Sequence, residues 1–162
     1  MNEQARNPVR GRPALTLRQR ALVALSRREY SRVELARKLA PHVAENAAGG
    51  AGGELEVLLD SLERERLLSN ERFAESLVHR RMERYGRLRI GQELGQHGLP
   101  PEVVAERLAA VAQSEFERCR AIWARKFSAP PADLAERVRQ TRFLAARGFD
   151  RGVIARVLDG KD

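Results

Sequence analysis

This chain of 162 residues is poor in the residues that build disulfides, sheets and membrane spans. Aromatic residues make up 5% of it, and Cys119 is the single cysteine, which excludes an intramolecular disulfide framework and a thiolate metal site. Valine and isoleucine are sparse, which disfavours a large β-sheet. The longest apolar runs have five residues (21–25 and 108–112), whereas a transmembrane helix needs roughly 20 and a secretory signal about 7–15. We therefore expect a cytoplasmic protein without a membrane segment.

Positive charge, by contrast, is abundant and is carried mainly by arginine. Lys and Arg together number 30 against 22 Asp and Glu, for a formal net charge of +8. The only lysines are Lys38, Lys126 and Lys161. This balance favours an acidic partner, which is either nucleic acid or an acidic protein surface, and charge alone does not choose between the two.

Apolar residues recur every three or four positions along most of the chain, which is typical of amphipathic helices. One such stripe consists of Phe116, Cys119, Trp123 and Phe127. Capping-box patterns, which satisfy the free N–H groups of a helix start, occur at 31–34, 114–117 and 133–136. Asp150 and Pro100-Pro101 suit two further helix starts. The sequence therefore predicts an all-α fold.

The helical pattern also repeats. A gap-free shift of 50 residues places Arg87, Leu94 and Gly98 on Arg137, Leu144 and Gly148. A shift of 55 places an earlier copy on the second, with Leu39 on Leu94. Units this small bury too little surface alone, so they stack on their neighbours. We expect three tandem three-helix repeats that form an elongated, curved array.

Proline- and glycine-rich stretches predict an arm before the first unit and a loop within it. Residues 1–16 are expected to form a flexible basic N-terminal arm. The three repeats then span 17–68, with a Gly-rich loop at 42–53, followed by 69–112 and 113–162.

Three segments of the chain resemble the RecX family, whose members regulate the RecA recombinase. In the second unit the resemblance rests on residues 68–76 (LSNERFAES), Arg81, Tyr85-Gly86 and residues 89–99 (RIGQELGQHGL). Residues 30–39 and 142–158 resemble the first and last units of that family. The resemblance covers about residues 17–160. Family members often carry Gly before the Tyr-Gly pair and Pro after it, where this chain has Arg84 and Arg87.

The resemblance implies a binding protein, not an enzyme, and no cofactor. RecX proteins lodge in the helical groove of the RecA filament on single-stranded DNA, and they suppress ATP hydrolysis, strand exchange and filament growth. The implied role lies in DNA repair, homologous recombination and the SOS response. The implied partners are the RecA filament and single-stranded DNA. The resemblance also implies weak binding to double-stranded DNA without sequence preference, and a monomeric protein. A stand-alone helix-turn-helix-like DNA-binding regulator remains the alternative, since paired helices with Arg-rich segments permit it.

Two arginine clusters are the candidate contacts with RecA or DNA, because the planar guanidinium suits both phosphate and carboxylate groups. The first cluster consists of Arg80, Arg81, Arg84, Arg87 and Arg89. The second, in the third unit, consists of Arg137, Arg139, Arg142, Arg147 and Arg151. A solvated helix end, with cations that offset the helix dipole and a Glu83–Arg87 pair, is the alternative for the first cluster.

The remaining candidates favour structural roles. Helical spacing predicts core packing over base stacking for Tyr30, Tyr85 and Trp123. Helix ends with positive φ are predicted for Gly86, Gly98 and Gly148. Cys119 lies on an apolar stripe and is predicted to be a buried, inert thiol. The spacing of the histidines does not suit metal ligation, and the sequence contains no phosphate loop or nucleophile motif.

Overall fold

The computed structural model describes residues 15–46 and 51–161, and every regular element in these ranges is an α-helix. The helices are α1 (Leu17–Leu25), α2 (Arg32–Asn46), α3 (Ala51–Arg64), α4 (Asn70–Met82), α5 (Arg87–Gln96), α6 (Pro101–Gln113), α7 (Glu115–Lys126), α8 (Leu134–Ala145) and α9 (Arg151–Leu158). None of these described helices combines the length and apolar character that crossing a membrane requires. Of the predicted arm at 1–16, only Leu15 and Thr16 belong to the described residues.

Successive groups of three helices form three units, α1–α3, α4–α6 and α7–α9. Each unit surrounds a hydrophobic cluster of its own. The helix pairs that pack most extensively lie within units, apart from α6 and α7, which join the second unit to the third. The predicted all-α array of three-helix repeats is therefore confirmed.

Helix occupies much of the stretch that was predicted to be a Gly-rich loop. α2 continues to Asn46 and α3 begins at Ala51, so residues 47–50 are the part of 42–53 that lies outside the described ranges. Intrinsic propensity does not explain the start of α3, because Gly52 and Gly53 are helical although glycine is a poor helix former.

Matching positions of the three units are buried alike, but the spacing between them differs from helix to helix. On the middle helices Leu39, Leu94 and Leu144 are all at most 1% exposed, as the shifts of 55 and 50 predict. On the first helices the buried residues that match are Ala21, Ala74 and Cys119, which lie 53 and 45 residues apart. The gap-free shift is therefore wrong for the first helices. The link before α8 has more residues than the link before α5, yet α8 begins about one turn earlier than a shift of 50 from the start of α5 predicts.

Side-chain caps begin most of the predicted helices. At the predicted boxes of Ser31 and Asp133, and at Asp150, the side-chain oxygen accepts from the N–H groups of Glu34, Glu136 and Gly152. A complete capping box with both reciprocal bonds is present at Thr16 and Gln19, at the start of α1. α6 begins at Pro101, as predicted. The predicted capping box at Ser114 is wrong, because its side chain makes no cap bond. α6 ends at Gln113 and α7 begins at Glu115, so Ser114 is at once the last cap of one helix and the first cap of the next.

The joint between the first and second units, called here the first joint, lies at the start of α2. The Oγ of Ser31 donates to the carbonyl oxygen of His97 at 3.0 Å. The next residue, Gly98, has φ 64 and lies so close to Val33 that a Cβ on the glycine would overlap the valine side chain. A glycine turn of one unit thus docks on the first turn of the preceding middle helix.

The joint between the second and third units, the second joint, also docks a glycine turn on the start of the preceding middle helix, but here main-chain N–H groups replace the serine hydroxyl as donors. The N–H of Gly86 donates to the carbonyl of Arg147 at 2.8 Å, and the N–H of Leu88 donates to the carbonyl of Gly148 at 3.0 Å. Gly148 has φ 78, in the left-handed region. Two successive joints of one kind confirm that the units propagate by a repeated arrangement.

Gly86 is required for a different reason from the one predicted. Its φ is −83, so the prediction of a positive φ is wrong here, although it is right for Gly98 and Gly148. A Cβ at Gly86 would overlap the carbonyl oxygen of Gly148 and the backbone of Phe149. The glycine is needed because two backbones meet, and rigid backbone cannot move aside as a flexible side chain can.

We predict that Gly86→Ala lowers the free energy of unfolding by about 2–4 kcal/mol, because the added methyl group forces the second joint apart. Urea denaturation measures this loss. Gly95→Ala is the matched control, since nothing lies within 4 Å of a Cβ at that position of α5. It is expected to raise stability by about 0.5–1 kcal/mol. Equal effects of the two substitutions would contradict the close approach.

Candidate functional site

A cationic cleft opens at the second joint, where α7 and α8 meet the link between α4 and α5. Its volume is about 590 Å³. Five of its ten lining residues are Lys or Arg, and one is acidic. The lining residues are Glu83, Arg84, Tyr85, Arg89, Ile122, Arg125, Lys126, Phe143, Ala146 and Arg147.

Two of the cleft arginines are held by the fold. Arg89 donates to the carbonyl of Ala146 at 3.2 Å and lies over the ring of Tyr85, 4.3 Å from its centroid. Arg147 donates to the carbonyl of Phe143 at 3.3 Å and lies 3.8 Å from that residue's ring centroid. Both guanidinium groups satisfy carbonyls near the end of α8, which a helix leaves without intrahelical partners.

The other three cleft cations make no such contacts within the chain. Arg84, Arg125 and Lys126 are exposed, and none of them makes a side-chain hydrogen bond, ion pair or ring contact with any described residue. Glu83 is the only acid that lines the cleft. The cleft therefore carries surplus positive charge and can bind an anionic group, either a phosphate or a carboxylate.

Arg118 connects the helices next to the cleft by hydrogen bonds to three carbonyls. Its Nη1 donates to the carbonyls of Met82 and Tyr85, both at 2.8 Å, and its Nη2 donates to the carbonyl of Val111 at 3.0 Å. Burial lowers the pKa of the Arg118 guanidinium from its ordinary value, but an arginine remains charged at neutral pH. The group ties the ends of α4 and α6 to α7.

Glu115 makes a second buried connection across the joint. It is 2% exposed, and its Oε1 accepts from the N–H of Arg87 at 2.8 Å and from the N–H of Asp150 at 3.4 Å. These two donors begin α5 and α9, so one carboxylate joins the starts of helices from two units.

The five arginines of the first predicted cluster do not share one surface role. Arg84 and Arg89 line the cleft, whereas Arg80 is exposed on α4 without a side-chain partner among the described residues. Arg81 pairs with Glu93 at 2.6 Å, and this hydrogen-bonded contact raises the pKa of Arg81. Arg81 therefore serves packing within its own unit.

Arg87 belongs to the joint. Its Nε lies 3.7 Å from a Glu115 oxygen, and its Nη2 lies 3.9 Å from an Asp150 oxygen. The pair that the sequence suggested between Glu83 and Arg87 is not formed, because α4 ends at Met82 and α5 begins at Arg87, so the two residues do not share a helix.

The second predicted cluster divides in a similar way. Arg137 pairs with Asp159 at 2.8 Å, and Arg139 pairs with Glu136 at 3.1 Å. The remaining members are Arg147, which lines the cleft, and Arg142 and Arg151, which are exposed without side-chain partners among the described residues. Arginines at matching positions of the second and third units thus have different partners.

Comparison with known proteins identifies the family. Residues 69–108 match the model of the second three-helix domain of RecX, and residues 113–158 match that of the third. This chain belongs to the RecX family. It is 53% identical over 151 residues to the regulatory protein RecX of Ralstonia nicotianae, covering 93% of this chain and 91% of that protein. It is 42% identical over 151 residues to the regulatory protein RecX of Pseudomonas putida, covering 91% and 92% of the two chains.

A solved structure shares the fold. The crystal structure of RecX from Lactobacillus salivarius superposes with a TM-score of 0.74 at 18% identity, over 89% of this chain and 93% of that one. In this RecX chain the cationic cleft lies where the second and third family domains meet.

Two cleft cations of this RecX chain were missed by the sequence analysis. Arg125 and Lys126 end α7, and they lie about 40 residues along the chain from Arg84. A pair of cations in the last turn of a helix is the ordinary complement to the helix dipole, so it carries no signal of binding by itself. Only the packing of α7 against the second unit brings them to the cleft.

The aromatic residues and the thiol are placed as predicted. Tyr30 is 9% exposed, Tyr85 and Trp123 are partly buried against their clusters, and the indole N–H of Trp123 donates to Gln140 at 2.8 Å. Cys119 is fully buried, and burial raises the pKa of its thiol to about 12, which makes it unreactive at neutral pH. Among the described residues, no three His, Cys, Asp or Glu side chains are grouped to hold a metal ion.

We predict that Glu115→Ala lowers the free energy of unfolding by about 2–4 kcal/mol, because two backbone N–H groups and a half-buried guanidinium lose their partner. Glu115→Gln keeps an oxygen acceptor of the same size and is expected to lose about half as much. Urea denaturation of both variants measures the difference. Similar losses for Ala and Gln would show that the acceptor oxygen contributes little to the joint.

Proposed function

We propose that this chain regulates RecA by binding along the groove of the RecA filament on single-stranded DNA. There it suppresses ATP hydrolysis, strand exchange and filament growth, and so acts in DNA repair and the SOS response. It acts by binding, as a cytoplasmic monomer and without catalysis of its own. The regulatory role is supported by relatives named regulatory protein RecX at up to 53% identity over most of the chain.

The observation that supports groove binding best is the repetition of the joint. The turns at Gly98 and Gly148 dock in the same manner on the middle helix of the preceding unit. An array built with a repeated joint offers successive surfaces, and a RecA filament is itself a helical repeat of subunits. Several weak contacts held on one chain then act at high effective concentration, so the whole array binds more tightly than any single unit.

Groove occupancy also accounts for the proposed effects on RecA. A chain that bridges subunits restrains the motions between them that turnover requires, and it excludes a second DNA from the groove. Exposed arginines supply attraction to anionic surfaces, and this attraction weakens as salt screens it. Of the ten arginines in the two predicted clusters, those exposed without side-chain partners among the described residues are Arg80, Arg84, Arg142 and Arg151.

We predict that this chain inhibits the ATPase of RecA on single-stranded DNA below equimolar amounts. At about one chain to ten RecA subunits, hydrolysis should fall by at least half in low salt, because each bound array restrains several subunits. Raising the salt concentration should weaken the inhibition. A coupled ATPase assay measures both effects.

Unchanged hydrolysis at equimolar protein in low salt would overturn the proposed function. A footprint on one particular duplex sequence would favour the alternative, a stand-alone helix-turn-helix-like regulator, because such a regulator reads bases in the major groove.

A further inference from the structure

We propose that the cationic cleft binds the phosphodiester backbone of a single nucleic-acid strand through Arg84, Arg125 and Lys126. For its biological setting this proposal rests on the proposed function. It goes further by assigning the second joint to the DNA, which leaves other surfaces of the array to meet the protein.

The cations that the fold requires at this joint are already in place. Arg118 donates to the carbonyls that end α4, while Arg89 and Arg147 donate to carbonyls at the end of α8. These three guanidinium groups satisfy acceptors that the helix ends leave open. Arg125 and Lys126 also complement the dipole of α7, but neither they nor Arg84 donate to a carbonyl, so all three charged groups remain available to a ligand.

The further cations repel one another. Arg84, Arg125 and Lys126 line one cleft with Arg89 and Arg147, and Glu83 is the only acid among the lining residues. Like charges in a cleft with walls of low dielectric constant focus their potential, and this raises the local concentration of anions. A bound polyanion relieves the repulsion, whereas the lining of the cleft itself offers one carboxylate, Glu83, against five cations.

The aromatic contacts favour a nucleic-acid strand over an acidic peptide. Arg89 lies over Tyr85, and Arg147 lies over Phe143, so two flat guanidinium groups are held at the cleft wall. Unpaired bases stack on guanidinium planes and aromatic rings, whereas the bases of a duplex are already stacked on each other. Phosphates on the free cations and bases on the held arginines together fit a single strand.

The test compares two triple variants of identical charge change. The cleft variant is Arg84→Glu, Arg125→Glu and Lys126→Glu. The control variant is Arg27→Glu, Arg37→Glu and Lys38→Glu, which reverses two arginines and one lysine that are exposed in the first unit. Fluorescence anisotropy with a labelled oligothymidylate of about 20 nucleotides, without RecA, gives the affinity over a range of salt concentrations.

We expect the cleft variant to lose at least tenfold in affinity at low salt, and the control to lose much less. Each phosphate contact with a single strand contributes about 0.7 to the slope of log affinity against log salt, so losing three contacts should reduce that slope by about 2. A further variant, with the same cleft residues changed to Gln, should also lose affinity while its melting temperature stays close to that of the unaltered chain, because these three side chains have no partners among the described residues. This measurement separates lost binding from lost folding.

Three outcomes would overturn the proposal. One is unchanged affinity and salt slope in the cleft variant, and another is an equal loss in both variants, which reports net charge alone. The third is a cleft variant that binds DNA normally but no longer inhibits RecA, which assigns the cleft to an acidic protein surface. Failure of the proposed function looks different, since the unaltered chain would then bind DNA through the cleft and leave the RecA ATPase unchanged.

Discussion

The approach of the Gly86 backbone to Gly148 and Phe149 sets the relation between the second and third units. Because no side chain separates these backbones, main-chain hydrogen bonds join the units directly. The same approach brings the start of α5 within reach of Glu115, and it brings the end of α4 within reach of Arg118. The cationic cleft lies at this joint, so its shape depends on a glycine that does not line it.

The arginines at this joint fall into two groups, which differ in whether the side chain has a partner within the protein. One group satisfies carbonyls or carboxylates that would otherwise be buried without partners, and Arg118 is its clearest member. The other group is exposed and has no partner among the described residues, as Arg84 and Arg125 show. Arginine serves both purposes because its planar fork bonds to backbone oxygens as readily as to an external anion. A count of charges along the chain does not separate the groups, but their partners do.

Much of the architecture was predictable because it depends on local rules. Helical periodicity and caps such as Asp133 identify the helices, and the recurrence of Leu94 as Leu144 identifies the repeat. The errors arose where a neighbouring element changes the local rule. Ser114 makes no side-chain cap because another helix ends beside it. Gly86 has a negative φ, and a glycine is required there because a second backbone occupies the space of a Cβ.

The sequence by itself determined the fold class, the threefold repetition and the family, because hydrophobic period and motif spacing are properties of neighbouring residues. Tertiary structure alone decided which cations remain available. Lys126 and Arg84 come together only because α7 packs across the end of α4. Arg81 and Arg137, by contrast, form ion pairs with Glu93 and Asp159 and are therefore not available to a ligand. Whether a charge is available depends on the distance to a partner in space, and the order of residues along the chain does not contain that distance.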